Sequence, residues 1–195
     1  ELFLQKKQGR IGGWVGYTLS YTKLKFDDIN NGLPFWARYD RRHDVSVVGS
    51  WDIRPGVTFS ATWVYATGNA MTLPTGDYVW ATHNPLGIGG WYDVGFNQSG
   101  TPFDLMGWGR VTDYGPTNSF RAGAYHRLDL GMQFSRKTVF FGVPIDRTLE
   151  LSVYNAYNRK NPFFYFMSYN QNEQRVLKQV SLFPILPSAS LHISF

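Results

Sequence analysis

The sequence predicts an all-β chain of antiparallel strands, and in particular a segment of a transmembrane β-barrel. Three observations support this prediction: apolar and polar residues alternate over long segments, short turns alternate with long polar connections, and aromatic residues gather near the predicted strand ends. Aromatic residues make up 17% of the 195 residues, which excludes an intrinsically disordered chain. The composition also excludes a coiled coil.

Long segments of the chain alternate with a period of two, which is typical of strands that have one apolar and one polar face. In the segment that begins at Trp14, the apolar face carries Val15, Tyr17, Leu19 and Tyr21. Such segments exceed the average globular strand of about 5–6 residues and reach the roughly 9–11 residues of a membrane-spanning strand. Strands are predicted over residues 1–6 (the end of a strand), 11–26, 42–53, 57–70, 123–136, 147–167 and 175–195, the last with a kink at Pro184 and Pro187.

The predicted connections alternate in length. Residues 7–10 and Arg54-Pro55-Gly56 are predicted as tight turns, and residues 137–146 as a somewhat longer connection. Long loops rich in Gly, Pro and Asn are predicted at about residues 27–40, 71–122 and 168–174, and the second of these shows no clear periodicity. Tight turns on one side and long loops on the other are typical of outer-membrane barrels.

Several classes of site are excluded by what the sequence lacks. Cysteine is absent, so there is no disulfide framework and no thiolate metal site. The four histidines, at positions 43, 83, 126 and 192, have no metal-ligand spacing, and no metal or other cofactor is expected. No nucleophile elbow, phosphate loop or paired-His motif occurs, so we predict that the protein is not an enzyme. The net charge of +5 is scattered, so no nucleic-acid partner is expected.

Four stretches of sequence, taken in order, resemble a known family. They are residues 37–44 (Ala-Arg-Tyr-Asp-Arg-Arg-His-Asp), 65–74, 124–131 and 151–162. Together they resemble the C-terminal part of TonB-dependent outer-membrane receptors, most closely the Bacteroidetes type with an N-terminal carboxypeptidase-like domain. The stretch from Val153 to Arg159 is similar to the family's penultimate-strand motif. The terminal Phe195 is similar to the signal by which such barrels are recognised for assembly.

The resemblance implies a location and a role. The family folds as a plug followed by a 22-stranded barrel, so residues 1–195 would form its last six strands and the end of a seventh, with the C-terminus periplasmic and the long loops extracellular. Six strands and a stub cannot close a barrel, so we expect the chain to be the C-terminal part of a larger polypeptide or to complete a barrel with another chain. Expected partners are outer-membrane lipid, the remaining strands and plug, the inner-membrane energy-coupling protein and a surface lipoprotein or other outer-membrane subunit. Energised uptake of a solute is the implied function.

Two sets of candidate site residues follow. On the polar strand face, Asp44, Asp52, Arg127, Asp129, Glu150 and His192 are predicted to face the barrel interior. These residues either line a solute path or pair with one another or with the plug. In the long loop, the candidate ligand- or partner-binding residues are Trp80, His83, Trp91, Tyr92, Trp108 and Tyr114. Their rings either stack on a ligand or partner or pack within the loop.

Two other functions remain open at the level of the sequence. The first is a structural or docking subunit of a larger outer-membrane assembly, whose long loops bind proteins rather than solutes. The second is a soluble, aromatic-rich glycan-binding β-domain, because the same rings can form the core of a β-sandwich. A need for detergent distinguishes the membrane reading from the soluble one.

Overall fold

The computed structural model describes residues 1–83, 106–140, 143–172 and 174–194, which form antiparallel β-structure without any α-helix among them. A 3₁₀ turn spans Asn30–Gly32. The all-β antiparallel class predicted from the alternation is therefore confirmed. The strands are β1 (Leu2–Lys6), β2 (Ile11–Leu19), β3 (Lys23–Leu24), β4 (Phe35–Trp36), β5 (His43–Arg54), β6 (Val57–Ala66), β7 (Ala70–Met71), β8 (Pro74–His83), β9 (Met106–Tyr114), β10 (Phe120–Arg121), β11 (Tyr125–Phe140), β12 (Val143–Tyr154), β13 (Phe164–Tyr169), β14 (Arg175–Val180) and β15 (Leu186–Ser194).

Seven of these strands form the main sheet, in the order β1-β2-β5-β6-β11-β12-β15. Each strand pairs antiparallel with the next strand of the sheet, so the sheet is a meander interrupted by long connections. The prediction of six strands and a stub therefore matches the number of strands in this sheet. Within the described residues the sheet is open, with β1 and β15 at its edges.

The last two strands are shorter than predicted. Residues 147–167 and 175–195 are each interrupted, and their inner parts form a separate hairpin, β13–β14. The first interruption follows Tyr154, where Asn155 and Asn158 adopt φ of 54° and 52°, a conformation that a strand does not accommodate. The second interruption contains Pro184, which cannot donate to a sheet ladder.

The main sheet has one end with short turns and one with long connections. At the short-turn end, β5 turns into β6 at Pro55 and Gly56. Gly56 has φ 77°, and a Cβ atom there would lie 2.3 Å from the Ser135 carbonyl oxygen, so the turn requires glycine. The connection predicted at residues 137–146 is wrong, because the β11–β12 ladder continues through Lys137–Asp146 to Phe140–Val143.

The other end of the main sheet, which we call the loop end, carries the connections 20–42, 67–124 and 155–185. The second connection includes the long loop predicted over residues 71–122, whose sequence shows no clear periodicity but which contains a regular hairpin. β8 and β9 pair within it from Pro74–Tyr114 to His83–Met106. Gly107 and Gly109 interrupt any apolar alternation in β9, so no period of two marks this hairpin in the sequence.

Residues of like polarity share a face on all seven strands of the main sheet. The register aligns apolar residues in rows across the sheet. One row is Leu4, Val15, Val47, Trp63 and Leu128, and another is Ile11, Trp51, Phe59, Met132, Leu151 and Ala189. The alternate positions carry mostly Ser, Thr, Gly and charged residues, so the sheet has an apolar face and a polar face.

The apolar face is not covered by another layer of the described chain. Leu4 is 59% exposed and Leu191 is 60% exposed, at opposite edges of the sheet. In the described part of the chain, the buried hydrophobic residues are Phe35, Ala37, Ala66 and Ala70, and all four lie at the loop end. The main sheet therefore has no hydrophobic core of its own.

Candidate functional site

The loop end brings together segments that are far apart in sequence, and Asp40 joins them. Its carboxylate is buried, with 1% of the residue exposed. Asp40 Oδ1 accepts a hydrogen bond from the Thr22 backbone N–H at 2.6 Å, and Oδ2 forms an ion pair with the Arg121 guanidinium. Arg121 also donates to the backbone oxygens of Asp40 and Gly68. One buried carboxylate thus ties three segments of the chain together.

The charge of Asp40 is maintained by these partners. Burial by itself would raise the pKa of the carboxyl group, because it disfavours the charged form. The hydrogen bond from Arg121, the Thr22 N–H and the positive charges of Arg121 and Arg42 outweigh burial and lower the pKa below its ordinary value of 3.8. The ion pair is therefore formed at neutral pH.

Close backbone approach at Gly68 permits the contact between these segments. A Cβ atom at Gly68 would lie 1.8 Å from the Ala122 carbonyl oxygen. The neighbouring Ala122 N–H donates to the Asn69 carbonyl oxygen at 2.9 Å, and β7 pairs with β10 beside it. Only glycine fits here, where the two ends of the connection 67–124 lie against each other.

Trp36 is the centre of a cationic cluster beside the Asp40–Arg121 pair. Lys23 Nζ lies 4.6 Å from the ring centroid, and the guanidinium carbons of Arg42 and Arg121 lie at 4.9 and 5.3 Å. Arg42 also lies over Tyr21, at 4.8 Å. The ring faces partly replace water around these cations.

Asn155, in the motif that resembles the family's penultimate strand, has a structural role. Its side chain is fully buried and donates to the Arg159 and Phe183 carbonyl oxygens at 2.9 and 3.1 Å. Its Oδ1 accepts from the Arg159 N–H at 3.0 Å, while its own N–H donates to Asp129 Oδ1 at 2.9 Å. These bonds hold the chain in the turn that leaves β12.

Asn161 extends the same arrangement to β11. Its amide pairs with both backbone groups of His126, at 3.0 and 2.9 Å, in the manner of a neighbouring strand. Arg159 donates to Asn161 Oδ1 at 3.2 Å and to the Ala124 carbonyl oxygen at 2.9 Å. The motif therefore joins the ends of β11 and β12 at the loop end.

The polar-face residues predicted to face the barrel interior share one face of the main sheet, but they do not converge on one site. Arg127 is paired with Asp129 at 2.9 Å, donates to the Tyr125 and Tyr154 hydroxyls, and lies 4.1 Å from the Tyr154 ring centroid. The other predicted residues are spread over the sheet: Asp44 lies 3.8 Å from Arg41, Asp52 accepts from Thr58 at 2.7 Å, Glu150 accepts from Ser190 at 3.4 Å, and His192 lies on β15.

The predicted binding residues of the long loop are placed only in part. Trp80 and His83 belong to β8 and Trp108 to β9, rather than to an irregular loop. Tyr114 ends β9 and is exposed. Trp91, Tyr92 and the terminal Phe195 lie outside the described residues.

The residues that organise the loop end were not selected from the sequence as site residues. Asp40 and Arg42 fall in the first stretch used for the resemblance, but nothing local marks Asp40 as buried. Arg121 is 81 positions away from it, so the pairing depends on the register of strands between them. The signal available in the sequence was an acidic residue among three arginines in residues 38–42.

The described residues hold no group of three His, Cys, Asp or Glu side chains that could bind a metal ion. No helix in the described parts of the chain is long and apolar enough to cross a membrane. Comparison of the chain with protein-family models, with curated proteins and with solved structures gives no match.

Proposed function

We propose that this chain forms part of the wall and outer mouth of an outer-membrane β-barrel that takes up a solute. Its apolar face contacts lipid and its polar face lines the interior. The observation that carries the proposal is the pairing register, which places apolar residues on one face of all seven strands while leaving that face exposed. A soluble domain buries such a face under a second layer.

The height of the apolar face fits a bilayer. On β11 it runs from His126 at its border to Phe134, which is about 27 Å along the strand at roughly 3.4 Å per residue. At the ~35–45° tilt of barrel strands this length spans about 19–22 Å of the membrane normal, near the ~25 Å apolar band of outer-membrane barrels. At its loop-end border lie aromatic and His rings with polar partners: Tyr17 hydroxyl contacts His43 Nδ1 at 2.9 Å, and Tyr157 hydroxyl contacts His126 Nδ1 at 2.8 Å. Amphipathic rings of this kind favour the membrane–water interface.

The open edges of the sheet support a larger barrel. β1 and β15 each present one unpaired backbone edge within the described chain, and an unpaired edge in lipid costs several kcal/mol per polar group. The remaining strands of the same receptor, or another chain, would complete the ladder. β15 runs from the loop end to the short-turn end. Because the long loops of such barrels are extracellular, the end of β15 lies on the periplasmic side in this proposal.

The assignment to energised transport rests on the sequence resemblance. In the proposed arrangement, a plug in the rest of the polypeptide contacts the inner-membrane energy-coupling protein, and the loop end captures the solute. The segments at the loop end are held together by hydrogen bonds to the buried side chains of Asp40 and Asn155. These hydrogen bonds favour a preformed mouth over an unstructured one. This chain itself carries no reaction chemistry in the proposal.

A direct test of the two faces uses single cysteines introduced into these 195 residues, which contain none, after replacement of any cysteine elsewhere in the full-length protein. Leu151→Cys and Ser152→Cys place single spin labels at adjacent positions of β12 on opposite faces, so each serves as the control for the other. In native membranes containing the full-length protein, we expect the label at 151 to respond to oxygen, which dissolves in lipid. The label at 152 should respond to a water-soluble nickel complex. Equal access of the nickel complex to both labels would contradict the proposal.

A further inference from the structure

A groove of about 230 Å³ opens at the loop end, beside the Asp40–Arg121 pair but separate from it. Its lining residues include two arginines, Arg38 and Arg41, which we call the arginine wall, and three aromatic residues, Phe163, Phe164 and Tyr165, which we call the aromatic wall. Residues 67–71 and the backbone near Gly123 complete the lining. Most ligand sites for drug-sized molecules measure roughly 300–1,000 Å³, so this groove fits one small ring.

The arginine wall has positive charge available for a ligand. Arg38 is exposed and makes no hydrogen bond or ion pair with the described residues. Arg41 uses Nε to bond Asn69 Oδ1 at 3.0 Å, and its Nη1 lies 3.8 Å from Asp44, beyond hydrogen-bonding distance. Asp40, the other nearby carboxylate, is already paired with Arg121. Guanidinium N–H groups of Arg38, and those of Arg41 that are not used by Asn69 and Asp44, therefore remain available beside the groove. Guanidinium groups bind carboxylates in a bidentate geometry.

The aromatic wall offers exposed ring surface held in a fixed position. Phe163 is 65% exposed, and its ring meets Phe164 edge to face, with centroids 5.8 Å apart. Tyr165 is anchored because its hydroxyl accepts from the Gly123 N–H at 2.9 Å and donates to Gln179 at 3.1 Å. Rigid aromatic surface of this kind packs against flat apolar ligand faces.

From these two walls we infer that the groove binds a small solute in which a six-membered ring carries a carboxylate. The carboxylate meets Arg38 and Arg41, and the ring lies against Phe163 and Phe164. The inference rests on the proposed function, since it assigns a solute class to the mouth of the barrel. A sugar acid and an aromatic acid share this chemistry, and the test distinguishes them.

The test measures binding by calorimetry to the full-length protein, extracted from its membrane in detergent. Glucuronate and benzoate are the probes, and glucose and benzyl alcohol are their uncharged counterparts. We expect at least one anion to bind about tenfold or more tightly than its counterpart, because a charge-assisted hydrogen bond is worth about one factor of ten in affinity. Preference for glucuronate indicates a sugar acid, and preference for benzoate indicates an aromatic acid.

Substitutions locate the binding in the groove. Arg38→Gln is expected to weaken the preferred anion about tenfold, without disturbing the fold, since Arg38 is exposed and unpaired among the described residues. Arg10→Gln removes the same charge at the short-turn end and should leave affinity unchanged. Absence of binding by both anions, equal binding of the uncharged counterparts, or no effect of Arg38→Gln would overturn the inference. If the labels at positions 151 and 152 still report lipid and interior, the proposed function survives that result.

Discussion

The main sheet and the loop end are stabilised in opposite ways. The main sheet has long ladders and a broad exposed apolar face, but the described part of it contains one buried hydrophobic residue, Ala66, at its loop-end border. The loop end contains fully buried polar groups, Asp40 and Asn155, each with several hydrogen bonds. The sheet therefore depends on its surroundings to cover its face, whereas the loop end pairs its buried polar side-chain atoms internally, with Arg42 Nε as the one exception among the described residues.

This comparison explains why long connections can be ordered. A loop normally stays at the surface because buried backbone groups would lose their water partners. Here Asp40, Asn155 and Asn161 supply those partners, bonding backbone groups of Thr22, Arg159 and His126. Each such bond would contribute little by itself in water, but a buried group left without its partner costs about 1–3 kcal/mol.

The largest expected effect is a loss of stability at the loop end that leaves the main sheet intact. Asp40→Ala leaves Arg121 and the Thr22 N–H without their buried partner, and should destabilise the loop end by about 3 kcal/mol. Hydrogen exchange of peptides from residues 20–42 measures the local opening free energy. Asp52→Ala is the matched control on the sheet, where the carboxylate accepts one exposed bond from Thr58, and should change stability by about 0.5 kcal/mol or less. Equal effects of the two variants would remove the contrast between the regions.

A second substitution sharpens the comparison within the loop end. Asn155→Ala loses three side-chain hydrogen bonds and places alanine at φ 54°, so we expect a loss of about 2 kcal/mol. Asn158→Ala is the control, because Asn158 also has positive φ, at 52°, but its side chain makes one exposed bond, to the Ile185 N–H. It should cost about half as much, mainly from the backbone conformation. Urea unfolding of the detergent-solubilised protein measures both, and identical losses would mean that burial of Asn155 adds nothing.

The smallest expected effect is a loss of loop-end stability at low pH. Because the folded-state pKa of Asp40 lies below 3.8, its ion pair contributes full stability above that pH, and the contribution is lost as pH falls through the lower folded-state value. We therefore expect faster exchange, corrected for intrinsic rates, in residues 20–42 below about pH 4. The Asp40→Asn variant should lack this step, and its persistence there would assign the titration to another group.

The alternation of the sequence was sufficient to predict the main sheet. Side chains on a strand alternate between faces, so residues such as Val15 and Val47 could be assigned to one face before their pairing was known. Strand ends were less accurate, because the boundaries at Tyr154 and Pro184 depend on turns and not on the alternation. The β8–β9 hairpin was missed because its sequence carries no apolar period.

Most residues of the candidate site could not be predicted from residue type and spacing in the sequence. Aromatic residues of the long loop were chosen for their type, whereas the groove is lined by Arg38 and Phe164, which belong to two other connections. Type and spacing are local properties, but a groove forms where segments meet. The resemblance to a family did select the stretch containing Asn155, whose buried side chain holds the turn after β12 through the Arg159 and Phe183 carbonyl oxygens.

The sequence by itself determined the secondary structure class, the two faces of the main sheet and the separation of short turns from long connections. These follow from the period of two and from local turn residues such as Gly56, which act within a few positions of the chain. Only the tertiary structure decided that Asp40 pairs with Arg121 and that Arg38 and Phe163 line one groove. Those contacts exist because the register of the intervening strands brings distant connections to one end of the sheet, and no local signal encodes that register.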